Sequence, residues 1–245
     1  MKNHIPNIIT LFNMLSGILS IYAVMNENLN LAAYFVFIAA VFDFLDGFAA
    51  RLLDAKSEIG GQLDSLADIV SFGVAPGFIL FGMIKISHGQ PIGQSEEFNI
   101  LPFLAFVVPA FGALRLARFN LDDEQSNSFR GMPIPALAIL IASLPLIRSY
   151  LYGDKESEFL YMTMTNTYFL ITIGVIGSLL MVSRFPMFAI KFNDFGWKSN
   201  MIKYIFLGVS LIMLLILNVI AIPFIILFYL FLSLVIFLVD IQQDV

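Results

Sequence analysis

Apolar runs of about 20 residues, the length a helix needs to cross a bilayer, recur along the whole chain between short polar stretches. They predict eight helical spans, at roughly 5–25, 31–53, 60–86, 101–119, 132–151, 167–185, 201–218 and 221–239. Polar segments such as SHGQPIGQSEE, NLDDEQSNSFRG and GDKESE read as loops, and PMFAIKFNDFGWKSN reads as interfacial, with Trp197 at a boundary. The last two spans are almost purely aliphatic and aromatic, which suits lipid-facing or oligomer-packing helices. The expected fold class is all-α, a polytopic transmembrane helical bundle of about eight spans forming a single integral membrane domain over 1–245.

Composition agrees with that reading. Hydrophobic residues make up 59% of the 245 residues, charged residues 13%, and mean hydropathy is +0.89. With no cysteine there is no disulfide, thiolate ligand or catalytic thiol. His4 and His88 lie far apart and flank spans, so a histidine-based site is not expected. No basic block points to nucleic acid. No small-residue cleavage site follows the first apolar run, so it is expected to be retained as a helix. With the N-terminus inside and eight spans, ten Lys and Arg fall at inside ends and three, Lys85, Arg148 and Lys155, at outside ends. That positive-inside bias puts the loop between spans 2 and 3 at the cytoplasmic face, as expected of a cell-membrane protein.

One stretch breaks the apolar pattern. From Asp43 to Asp68 it reads DFLDGFAARLLDAKSEIGGQLDSLAD. Asp43 and Asp46 are three apart, Asp64 and Asp68 four apart, and on helices each pair shares a face. The polar, glycine-containing linker from Lys56 to Gly61 can turn the chain back, bringing the two pairs face to face. Converging carboxylates in an apolar setting repel strongly unless cations lie between them. Oxygen ligands of this kind suit Mg2+, Mn2+ or Ca2+. Charges inside a span cost about 2.5–3.5 kcal/mol each on insertion scales, so the set is expected to be used. The bland alternative is a set of Asp–Arg pairs that hold helices together.

The spacing Asp43-x2-Asp46-Gly47-x2-Ala50-Arg51-x8-Gly60-x3-Asp64-x3-Asp68 resembles the signature of the CDP-alcohol phosphotransferases, with every fixed position filled. The resemblance implies an enzyme that moves a substituted phosphate from a CDP-linked donor to an alcohol and releases CMP. It implies a two-metal site for Mg2+ or Mn2+, with Asp43 and Asp64 bridging, Asp46 on one metal and Asp68 on the other. Asp68 is implied as the general base. The donor, CDP-diacylglycerol, is implied to contact Gly47, Arg51 and Ser57. Pro6-Asn7-Ile8-Ile9-Thr10 matches a family start that lies beside the nucleotide, which adds Asn7 and Thr10. Asn13 follows as a third polar residue of span 1. The catalytic core is expected at about 1–186, with extra hydrophobic helices at about 199–241. Relatives often form homodimers.

A second region narrows the acceptor. Ser71-Phe-Gly-Val-Ala-Pro76, Arg115-Leu-Ala-Arg118-Phe119-Asn120 and Phe129-Arg130-Gly131-Met132-Pro133 resemble the phosphatidylserine synthase branch. That implies transfer of the phosphatidyl group from CDP-diacylglycerol to L-serine in phospholipid biosynthesis. Arg115, Arg118, Asn120 and Arg130 are the candidates for serine or phosphate recognition. Arg115 and Arg118 share a helix face, which favours a joint anion site over scattered headgroup anchors. Glycerol 3-phosphate or inositol phosphate remain alternative acceptors. An ion transporter or channel is the rival of another class, but no internal repeat or paired half-helix is visible. A purely structural membrane protein leaves the clustered aspartates unexplained.

Overall fold

The structure, a computed structural model, describes residues 4–55, 57–92, 99–121, 129–188 and 196–243. Helix α1 (His4–Met25) turns through Glu27, at φ 60°, into α2 (Leu29–Leu52). Asn28 caps α2, its side-chain oxygen accepting from Leu31 N–H at 3.0 Å. The Ser20 hydroxyl donates to the Ala32 carbonyl at 2.9 Å, so the first two helices are tied near their junction.

The chain reverses again at Leu53–Ser57 and enters α3 (Glu58–Asp68). Gly60 and Gly61, expected in the linker, lie inside this helix, because Ser57 supplies an N-cap two residues earlier than the glycines suggested. A π-helical turn, Ile69–Val74, then joins α3 to α4 (Ala75–Ser87), making one span from Glu58 to Ser87. Pro76 has no N–H to give to an α-helical ladder. The backbone widens just before it, with Ala75 N–H reaching back to Val70 O.

A 3-10 turn, Leu101–Phe106, leads into α5 (Val107–Leu121). Strand β1 (Phe129–Arg130) pairs antiparallel with β2 (Pro186–Met187). Between them lie α6 (Ile134–Leu151), the short α7 (Glu158–Met164) and α8 (Thr167–Val182). At seven residues, about two turns, α7 is too short to be a span by itself. It meets α8 at 56°. Last come α9 (Trp197–Leu217) and α10 (Ala221–Gln243). They reverse at Asn218, φ 50°, and Phe206 stacks on Phe228 at 5.9 Å, so they form a hairpin.

This is the all-α membrane bundle that the pattern predicted. Six helical segments of the described chain are long and apolar enough to cross a membrane, or seven counting α7 with α8. One of the six is the 39-residue run 200–238, which the reversal at Asn218 divides into two, giving eight. The interior belongs to α4 and α6: Ile79, Leu80, Ile84, Leu137, Ile141, Leu144 and Ile147 have no exposed surface. Lipid drives helices together weakly, so close approach of small residues matters more than hydrophobicity. Gly174 lies under Leu80, Gly177 under Leu137 and Gly112 under Ile134, each too close for a methyl group.

Candidate active site

Helix α1 packs against both α2 and α3, and the three run together about two to three turns in from the α2–α3 connection. There Asp43, Asp64 and Asp68 each offer a carboxylate oxygen within 4.8 Å of the others. Two come from α3, one turn apart, and the third from the antiparallel α2, as the hairpin reading required. Asp46 lies one turn further along α2 and is only 6% exposed. It falls outside the triad and instead lines an adjacent cavity with Asp64. One oxygen of Asp46 and one of Asp64 are buried with no hydrogen-bond partner among the described residues. Three clustered carboxylates, one with an unpartnered buried oxygen, form a donor set suited to a hard divalent cation.

The adjacent cavity, of about 280 Å³, is lined by Pro6, Asn7, Thr10, Asp46, Gly47, Ala50, Ala55, Ser57, Gly60, Gly61 and Asp64. Four of the five expected donor-binding residues, Asn7, Thr10, Gly47 and Ser57, therefore share one wall system. The fifth, Arg51, is exposed and sits beside it: a Cβ on Gly47 would lie 3.7 Å from the Arg51 guanidinium. Gly60 brings α3 against α1, where a Cβ would meet Ser57 Oγ at 3.0 Å and Asn7 Oδ1 at 3.1 Å. Ser57 has a structural task as well, accepting from Gly60 N–H at 3.1 Å as the α3 cap. The Thr10 hydroxyl donates to the Pro6 carbonyl at 3.0 Å.

The second set of residues separates. Arg115, on α5, is half-buried and lies within electrostatic reach of Asp68 and of Tyr229 on α10. Its Nε is buried without a partner among the described residues, and its guanidinium lies 5.8 Å from the Phe119 ring centre. Arg118 is exposed and donates to the Val182 carbonyl at 3.2 Å, closing the end of α8. Asn120 exchanges hydrogen bonds with Ser65 of α3, at 3.0 and 3.3 Å. Arg130 lies in β1, and its side chain is outside the described residues.

Two contributions were not read from sequence. Asn13, taken only as a third polar residue of span 1, has no exposed surface and its amide nitrogen donates to Asp68 Oδ1 at 3.5 Å. Its position one turn after Thr10, on the same face of α1, was the available signal. Tyr229, in the almost purely apolar last helix, donates to the Phe188 carbonyl at 2.8 Å and lies within electrostatic reach of Arg115. No spacing in the sequence links α10 to α5.

Comparison with known proteins adds the following. A model of the CDP-alcohol phosphatidyltransferase family matches residues 3–237. A Bacillus subtilis protein named CDP-diacylglycerol–serine O-phosphatidyltransferase is 35% identical over 193 residues, which cover 76% of this chain and 92% of that one. A Helicobacter pylori protein of the same name is 32% identical over 212 residues, 84% of this chain and 80% of its own. A Methanocaldococcus jannaschii protein, also of that name, is 31% identical over 211 residues, 82% of this chain and 94% of its own.

Proposed function

The chain belongs to the CDP-alcohol phosphatidyltransferase family, and from that premise we propose that it transfers the phosphatidyl group of CDP-diacylglycerol to L-serine, giving phosphatidylserine and CMP. The observation that carries the reading is the junction at Asp64, which belongs both to the carboxylate triad and to the wall of the adjoining cavity. A diphosphate whose nucleotide end occupies that cavity has its phosphates at the triad. The three relatives named for this reaction support serine as the acceptor.

The residues divide the work as follows. Asn7, Thr10, Gly47 and Ser57 receive the CDP moiety, and the missing side chain of Gly47 leaves room beside its backbone. Arg51 sets its charge against the diphosphate. Asp43, Asp46, Asp64 and Asp68 would hold divalent cations, Mg2+ or Mn2+, whose charge when bound would offset that gathering on the phosphates. The serine hydroxyl oxygen forms a bond to the phosphorus of the phosphatidyl group as the bond to the CMP oxygen breaks. Asp68 takes the hydroxyl proton, and CMP leaves with the bonding pair. Little covalent chemistry is asked of the protein, so orientation and charge carry most of the effect. Arg115, with its unspent Nε–H near Asp68, receives the serine carboxylate.

The ten-to-three distribution of basic residues supports a cytoplasmic active site in the cell membrane, where serine and CMP are soluble. A CMP-release assay on purified protein tests the whole reading. CDP-diacylglycerol with Mg2+ or Mn2+ is supplied with L-serine, glycerol 3-phosphate or inositol phosphate singly. Release that requires serine and metal, and is lost in Asp68→Asn, is the expected result. Release with another alcohol alone would move the acceptor assignment. Release with none, from folded protein, would overturn the reaction.

A further inference from the structure

We propose that Asn13 is the positioning residue for Asp68, holding one of its carboxylate oxygens so that the other faces the acceptor hydroxyl. The backbone fixes where Asp68 stands but not which way its side chain turns. Asp68 is the last residue of α3, and the π-helical turn begins at the next position. Ile69 N–H still reaches back to Ser65 O, so Asp68 keeps its α-helical spacing from Asp64, and what remains to be set is the rotation of its carboxylate.

Helix α1 meets this part of the chain at three places. The Asn13 amide donates to Asp68 Oδ1 at 3.5 Å, a length common in catalytic contacts before substrate arrives. The Asn13 carbonyl accepts from the Ser71 hydroxyl at 2.9 Å, within the π turn. One turn further along, Gly17 lets the Ser71 backbone rest directly on α1. The same stretch of α1 thus grips the chain at Asp68 and three residues beyond it.

The residue type is informative. Asn13 has no exposed surface, and its Oδ1 is buried with no partner among the described residues. A buried amide left half-satisfied is costly, and an apolar side chain of similar size would avoid the cost. The side-chain bond that Asn13 does make goes to Asp68. A helix-packing role would not need it.

The inference rests on Asp68 being the proton acceptor, so the experiment separates the two. CMP release is measured at varied serine and CDP-diacylglycerol for Asn13→Leu, which keeps bulk, and Asn13→Ser, which is too short to reach Asp68. Both variants are expected to lose at least tenfold in kcat, with KM for CDP-diacylglycerol within twofold of the parent. Thermal stabilisation by CDP with Mn2+ is expected to persist, which shows a folded donor site. On an Asp68→Glu background, where the carboxylate is already displaced, Asn13→Leu is expected to add less than threefold. A kcat within twofold of the parent in either stabilised variant overturns the proposal. So does a full, independent loss on the Asp68→Glu background. Full activity of Asp68→Asn instead overturns the assignment of the base.

Discussion

Gly17 and Ser71 touch so closely that a Cβ on Gly17 would lie 2.6 Å from the Ser71 hydroxyl and 2.7 Å from its Cα. A flexible side chain could yield, but the Cα of a packed turn cannot. Gly17→Ala is therefore expected to push α1 away from the π turn that follows Asp68. Overpacking of this kind costs about 1–3 kcal/mol. Thermal unfolding in detergent should show a clear loss of stability, and CMP release should fall with it. Gly208, where an added Cβ meets nothing within 4 Å among the described residues, provides the control: Gly208→Ala should leave both unchanged.

The carboxylate triad gives a second expectation. Removing one of three carboxylates that lie within 4.8 Å weakens cation binding and reduces the repulsion among those remaining. Asp43→Asn and Asp64→Asn should each lower CMP release by about 100-fold or more, as loss of a transition-state charge partner does. The same substitutions should raise the stability of metal-free protein, since fewer carboxylates crowd one another. EDTA should abolish release by the parent, and Mg2+ or Mn2+ should restore it. Restoration by monovalent salt alone would contradict the role given to these aspartates.

Much of this site was readable from spacing because it sits on two consecutive helices. The intervals Asp43–Asp46 and Asp64–Asp68 specify faces, and a short connection forces those faces together. The same logic failed at the connection itself, where Gly60 and Gly61 were taken for turn residues. Ser57 starts the helix before them, and the missing side chain of Gly60 serves the approach of Asn7 instead. Arg115 and Arg118 show a different limit. Three residues apart on α5, they looked like a joint anion site, yet Arg118 donates to Val182 while Arg115 lies near Asp68. Which way a long side chain turns is decided by neighbours from α3, α8 and α10, and no local interval encodes them. Thr10 marks the face of α1 that carries Asn13, but no local interval names its partner Asp68, 55 residues away.

Ser57 allows capping to be separated from ligand contact. Its hydroxyl accepts the Gly60 N–H, and it also lines the cavity. Ser57→Ala should destabilise the start of α3 by about 1 kcal/mol. Ser57→Asp keeps a good cap but puts a negative charge beside the donor diphosphate. Its thermal stability should match the parent, while KM for CDP-diacylglycerol rises at least tenfold. Ser57→Asn, a neutral cap, should keep both stability and KM near the parent values. A tight KM in Ser57→Asp would remove Ser57 from the donor site and leave it a cap alone.

The two arginines of α5 should behave differently despite their shared motif. Arg115 has a buried Nε–H with no partner among the described residues, near the proposed base. An unpaired buried donor of this kind is costly until an anion meets it, and the serine carboxylate is the anion the reaction brings. Arg115→Lys retains the charge but loses the planar fork, so it should bind serine poorly rather than fail to fold. The expected result is at least a tenfold rise in KM for serine, with KM for CDP-diacylglycerol unchanged. Arg118 donates to the Val182 carbonyl from an exposed position. Arg118→Met should cost some stability where α5 meets the end of α8 and leave KM for serine within twofold. If Arg118→Met raised KM for serine and Arg115→Lys did not, the acceptor would approach from the α8 side of α5, away from Asp68. That outcome would also separate the acceptor from the residue proposed to take its proton, and the placement of serine beside Arg115 would fall.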